Sequence, residues 1–188
     1  MPSAEPGAPA VRQADVEAWL ADLGLEPLER ADRDSVTSWD LVLDGHRRFD
    51  LRVTIILDPT LGLIAWAHYA PPINDLFRKS YRRLLRWNDE FPFAKFSISE
   101  DERPQLAIEL PLAGAGADAL GLALVRLVGI ADTLFDESTD WLWLGGTVPD
   151  QSDRRCRNAA LIERFRPRLP ELFGDSDTAL GDPVEVGA

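Results

Sequence analysis

This chain has little with which to do covalent or metal chemistry. It contains one cysteine, Cys156, in 188 residues, which excludes an internal disulfide and a cysteine-based metal site. Its two histidines, His46 and His68, have no Cys or His companion at ligand spacing. Serine, histidine and aspartate occur without a nucleophile elbow or a glycine-rich phosphate loop. Gly114, Ala115 and Gly116 precede a predicted helix start, but nearby acidic residues favour a plain loop over an anion site. The opening MPSAEPGAPA lacks the basic start and apolar run of a secretory signal. The longest apolar tract, 112–131, carries Asp118, Arg126 and several glycines, so a membrane span is not expected. These absences point to a cytoplasmic protein with no catalytic residues, no metal and no cofactor.

Positive charge is also scarce. Twenty Lys and Arg stand against 32 Asp and Glu, a net charge of −12. Such a surface repels phosphate backbones, so nucleic acid is not an expected partner. The imbalance is local. Residues 1–34 hold three positive and eight negative side chains, and residues 100–140 hold two and nine. Residues 73–88 hold five positive and one negative. A basic island therefore sits in an acidic protein.

That island is the strongest helix signal. At about 100° per residue, Ile73, Leu76, Phe77, Tyr81, Leu84, Trp87 and Phe91 share one arc. Arg78, Lys79, Arg82, Arg83 and Arg86 share the other. The spacing predicts a helix over 73–91 that covers a core with its apolar arc. Asn88 falls within the apolar arc, where its side chain is expected to satisfy backbone groups at the helix end.

The rest of the chain is organised on either side of it. Residues 1–12 read as a disordered tail. Val16, Trp19, Leu20 and Leu23 predict a short amphipathic helix with Asp15 as N-cap and Gly24 as its stop. Residues 25–36 read as a connector. From Thr37 the period becomes two. Trp39, Leu41 and Leu43 share one strand face, and Phe49, Leu51, Val53, Ile55 and Leu57 another. Both sets are odd-numbered, so parity requires an odd loop between them, and residues 44–46 supply it. Residues 63–69 are apolar on both faces, which predicts a strand covered on both sides.

After the basic helix, 95–99 and 106–110 alternate as a second hairpin. Residues 117–136 predict a second long helix. Its Leu122, Val125 and Ile130 lie off the main apolar face, followed by Trp141 and Trp143. So wide an apolar surface needs another cover. The C-terminal segment 147–173, with a short helix, is one candidate, and its covalent attachment gives it a high effective concentration. A homodimer is the competing cover. Residues 174–188 read as a second disordered tail. The expected architecture is α+β, a five-stranded antiparallel sheet in the order α-β-β-β-α-β-β-α, with one domain over 13–146.

The motifs LLRWN (84–88), AKFSIS (94–99) and LAIELPL (106–112), and a helix ending Gly129-Ile130-Ala131-Asp132, resemble the YbjN-like family within the type III secretion chaperone-like fold. The resemblance covers about 13–145. It implies a small acidic protein, often dimeric, without catalytic residues. Secretion chaperones of that fold hold an unfolded client segment against apolar patches; YbjN-like members are regarded as regulators or adaptors. No functional residue transfers with the resemblance, because its motif is structural.

The expected function is a non-enzymatic protein-binding module, docking a protein client or regulatory partner through apolar contact or strand addition. The candidate partner-binding residues are Arg78, Arg82, Arg83 and Arg86 on the basic helix face, with Leu122, Val125, Ile130, Trp141 and Trp143. The basic face also has the simpler reading of a solvated helix surface, partly neutralised by Asp75 and Glu90. Rival functions are a small-molecule-binding or enzymatic domain with a pocket between sheet and helices, and a structural subunit of a larger assembly.

Overall fold

The computed structural model describes residues 11–72, 78–142, 151 and 153–173; the side chains of Arg78, Lys79 and Trp141 lie outside that description. The expected tails, 1–12 and 174–188, fall almost wholly outside it, as do Trp143 and residues 73–77.

Helix α1 (Gln13–Asp22) opens the chain. Its N-cap is Arg12 rather than Asp15. The Asp15 carboxylate reaches back from the third helical position to accept the Arg12 backbone N–H at 2.8 Å, satisfying a donor that the helix leaves unpaired. Four strands follow: β1 (Glu29–Arg33), β2 (Val36–Leu43), β3 (Leu51–Asp58) and β4 (Gly62–His68). Then come α2 (Arg78–Glu90), β5 (Lys95–Ile98), β6 (Pro104–Leu110), α3 (Ala117–Thr133) and α4 (Phe135–Leu142). The C-terminal segment forms α5 (Ala159–Phe165), a 3-10 turn (Arg166–Arg168) and α6 (Pro170–Phe173).

The fold class is the expected α+β, but the sheet has six strands rather than five, in the order β1-β2-β3-β4-β6-β5, all pairs antiparallel. The additional strand is β1, in the stretch read as a connector. Its ERADR sequence has no apolar alternation. It is a strand because it pairs along β2, from Glu29 opposite Asp40 to Arg33 opposite Val36. The predicted second helix also divides, into α3 and α4, with Leu134 between them.

Parity holds across the first long hairpin, where Leu43 faces Leu51. The loop is odd but longer than predicted, running over 44–50. Phe49 lies in it rather than in the strand, and Asp50 takes a positive φ of 55°. The loop is held from outside. The Asp132 carboxylate on α3 accepts the backbone N–H groups of His46 (2.6 Å), Arg47 (3.1 Å) and Arg48 (2.7 Å). A Cβ at Gly45 would collide with that carboxylate, so glycine is required by the close approach.

The core lies on one side of the sheet. Trp39, Leu41 and Leu43, then Leu51, Val53 and Ile55, then Leu63, Ala65 and Ala67, and Leu106 and Ile108 from β6 are all buried there. Helix α3 covers them. Its outer side is covered in turn by the C-terminal segment, where Ile162 and Phe165 of α5, and Leu169 between the 3-10 turn and α6, are almost fully buried. The packing is close enough that a Cβ at Gly121 would strike the Phe165 ring, and one at Gly129 the Phe173 ring. A polar clasp fastens this segment to the sheet. Buried Asp44 accepts the backbone N–H and Nε of Arg157 at 3.2 and 2.8 Å, while Asn158 Oδ1 accepts the Asp44 N–H at 2.8 Å.

Candidate functional site

Two surfaces carry the features expected of a binding protein. The first is the opposite face of the sheet. Among the described residues, no helix covers it. The register sets out its side chains: Ala31, Ser38, Ile56, Ile64 and Glu109 lie in one row across the strands. Glu29, Asp40, Thr54, Trp66, Ala107 and Lys95 form the next. Val36, Ile56, Ile64 and Trp66 are all partly solvent-exposed. A solvated sheet face is ordinarily polar, so this apolar strip calls for an occupant.

Val36, Ile56 and Trp66 of the strip line a hollow of about 680 Å³ reaching from β1 to β4. The Trp66 and His68 rings meet edge to face, with centroids 4.7 Å apart. Burial, and then the charge of Arg103, hold the His68 imidazole below its ordinary pKa. The Thr54 hydroxyl donates to Asp40 at 2.6 Å. The result is an apolar centre with polar groups beside it, suited to an extended peptide or another apolar protein surface. Sequence reasoning missed this site. It read 63–69 as covered on both sides because Ile64 and Trp66 are apolar, and that pattern was the available signal.

The sheet edges differ. At the β5 edge, the Asn88 side chain accepts the Phe96 N–H at 2.5 Å and donates to its carbonyl at 3.1 Å. The backbone groups that would receive an added strand at Phe96 are therefore already occupied. At the other edge, β1 is short and charged.

The second surface is α2. It is fixed to the sheet by an aromatic cluster, with Tyr69 and Phe96 ring centroids 5.9 and 5.2 Å from that of Trp87. Burial pushes the Tyr69 phenol well above its ordinary pKa, and its hydroxyl meets Ser138. Outward, α2 exposes Arg82, Arg83 and Arg86 together, with Leu85 among them at 70% exposure. Arg83 donates to the Glu137 carbonyl at 2.5 Å. The expected neutralisation of Arg86 by Glu90 is not among the ion pairs of the described residues.

The remaining predicted residues lie elsewhere. Val125 and Ile130 are each 1% exposed within the core, and Leu122 is half-buried beside it. Arg78 and Trp141 belong to the backbone of α2 and α4. No group of three His, Cys, Asp or Glu arranged to hold a metal occurs among the described residues. No helix there is long and apolar enough to cross a membrane.

This is an α+β protein whose antiparallel sheet is backed by helices on one face and, among the described residues, is left uncovered by helices on the other. Residues 12–140 match the family model YbjN, described as a "Putative bacterial sensory transduction regulator". The chain belongs to that family. No curated protein matches it.

Proposed function

We propose that the chain is a cytoplasmic regulatory adaptor that acts by protein–protein contact rather than catalysis, and that its partner docks on the open face of the sheet. The observation that carries this reading is the strip formed by Val36, Ile56, Ile64 and Trp66 on a face no described helix covers. The family description supports a regulatory role. Asn88 blocks strand addition at the β5 edge, so the face is the better route. An extended client segment lying over the strip would bury Trp66, the residue type that most often anchors an interface.

The test is site-specific photo-crosslinking in cells, with the crosslinker placed in turn at Ile64 and at Leu61. Leu61 is exposed in the β3–β4 turn and lies off the face. One recurrent protein adduct at position 64 that is missing at 61, and is lost in Trp66→Asp, supports the reading. Adducts at 61 and not at 64 sink it. An adduct with a second copy of this chain would make the face a homodimer interface.

A further inference from the structure

The arginines of α2 stand out as a group. Ion pairs engage Arg12, Arg30, Arg47, Arg103, Arg126 and Arg154, among others. Among the described residues, Arg82, Arg83 and Arg86 have no carboxylate partner, in a protein of net charge −12. Arg33, Arg52 and Arg155 also have no carboxylate partner among the described residues, but each is a single such residue on its own segment, whereas α2 carries three of them within five residues. An exposed leucine, Leu85, lies between those three. The surface is cationic with an apolar centre, and fits an acidic peptide bearing aliphatic side chains.

The chain carries such a peptide itself. Residues 174–188 read GDSDTALGDPVEVGA, with Asp175, Asp177, Asp182 and Glu185, no Lys or Arg, and Leu180, Val184 and Val186 between the acids. Its point of departure is close to α2 on two sides. Glu171 of α6 pairs with Arg126 at 3.3 Å, and Arg126 donates to the Pro92 carbonyl just past the end of α2. The Leu172 carbonyl lies 3.5 Å from the Thr133 hydroxyl. Four residues beyond Thr133, in α4, the Glu137 carbonyl receives Arg83. Fifteen residues reach up to about 50 Å at roughly 3.3 to 3.6 Å each, whereas α2 is about 20 Å long.

We infer that residues 174–188 dock on the Arg82, Arg83, Leu85 and Arg86 face of α2 and cover it until a competing acidic partner displaces them. Attachment places the tail at millimolar effective concentration, so weak ion pairs that would not hold a free peptide hold this one. The inference does not rest on the open sheet face and stands or falls separately from it.

The test uses the full chain with Cys156→Ser and Ala179→Cys, a nitroxide on residue 179, and amide NMR. At about 0.01 M salt, where the Debye length is about 30 Å, the amide signals of residues 82–86 are expected to weaken by about twofold or more, as for a tethered segment bound most of the time. They should recover near 1 M salt, where the Debye length is about 3 Å. Neutralising the tail with Asp175→Asn, Asp177→Asn, Asp182→Asn and Glu185→Gln should abolish the effect without touching the folded core. Arg82→Glu with Arg86→Glu should do the same from the other side. Broadening that is absent from α2, or that survives tail neutralisation, overturns the inference. So does equal broadening when a spin-labelled chain is mixed with an unlabelled, isotopically enriched one, which would make the occupant the tail of a second copy.

Discussion

Ile55 and Ile56 are neighbours in β3 with the same side-chain chemistry. Ile55 is fully buried beneath the helices; Ile56 is half-buried on the open face. The difference is repeated along the strand pair, with Ala65 covered and Ile64 partly exposed. One face of the sheet spends its apolar groups on the fold. The other keeps a smaller apolar strip that no described helix covers. If the proposed partner docks on that strip, the contrast separates stability from binding within a single strand.

The largest test of the contrast removes the cover from the outer side of α3. Truncation after Gly146 takes away Ile162, Phe165 and Leu169, each almost fully buried. Each such side chain is worth about 1.5–3 kcal/mol of burial. The truncated chain is expected to melt far lower and to bind more of a hydrophobic dye than full-length protein; an unchanged melting temperature would mean that α5 and α6 contribute nothing to the core. Next is Asp132→Ala. It strips three backbone N–H groups of a carboxylate, and hydrogen bonds to charged groups are worth about 1.5–3 kcal/mol each. A loss of about 3 kcal/mol or more in urea unfolding is expected, with faster amide exchange confined to 44–50.

The paired substitutions in β3 measure the contrast directly. Ile55→Ala should cost about 2–5 kcal/mol, the range for a large core aliphatic, and leave partner crosslinking intact in whatever fraction folds. Ile56→Ala should cost less than about 1 kcal/mol, near the range of surface changes, yet weaken crosslinking at position 64. Equal costs for the two would show that both faces are core.

Smaller effects come from pH. The guanidinium groups of Arg154 and Arg47 hold the Asp50 and Asp136 carboxyls below the usual carboxylate range. Their contribution is present above the unfolded value, about 3.9, and is lost as pH falls through the lower folded values. Both carboxylates are more than half exposed, so the effect is screened. The acid midpoint of unfolding should shift only modestly on Asp50→Asn, and less at high salt.

The smallest effect belongs to His68. Its folded pKa is depressed, so the unfolded chain binds the additional proton. Stability therefore declines slightly as pH falls from about 6.5, the unfolded value, to the folded one, and is flat below it. An NMR titration should place the His68 midpoint under about 6.5. A partner seated over Trp66 should lower it further by excluding water.

Much of this architecture was legible in one dimension. The alternation of β3 placed its odd residues in the core, hairpin parity required odd loops, and the two-sided character of 73–91 predicted a core-facing helix with an outer arginine face, which the described residues show over Arg78–Glu90. Each of these depends on local spacing, and spacing is what a sequence carries. Asn88 was legible as a satisfier of backbone groups, though not as the cap of a strand edge.

Tertiary structure decided what depends on a distant neighbour. ERADR is a strand only because β2 offers it a ladder, and no alternation in its own residues announces this. The 44–50 loop takes its length from a carboxylate more than eighty residues away. Periodicity marks Ile64 and Trp66 as apolar but does not say whether anything lies above them. Burial is a relation between two segments, and only packing fixes which side of a sheet the helices take and which they leave open.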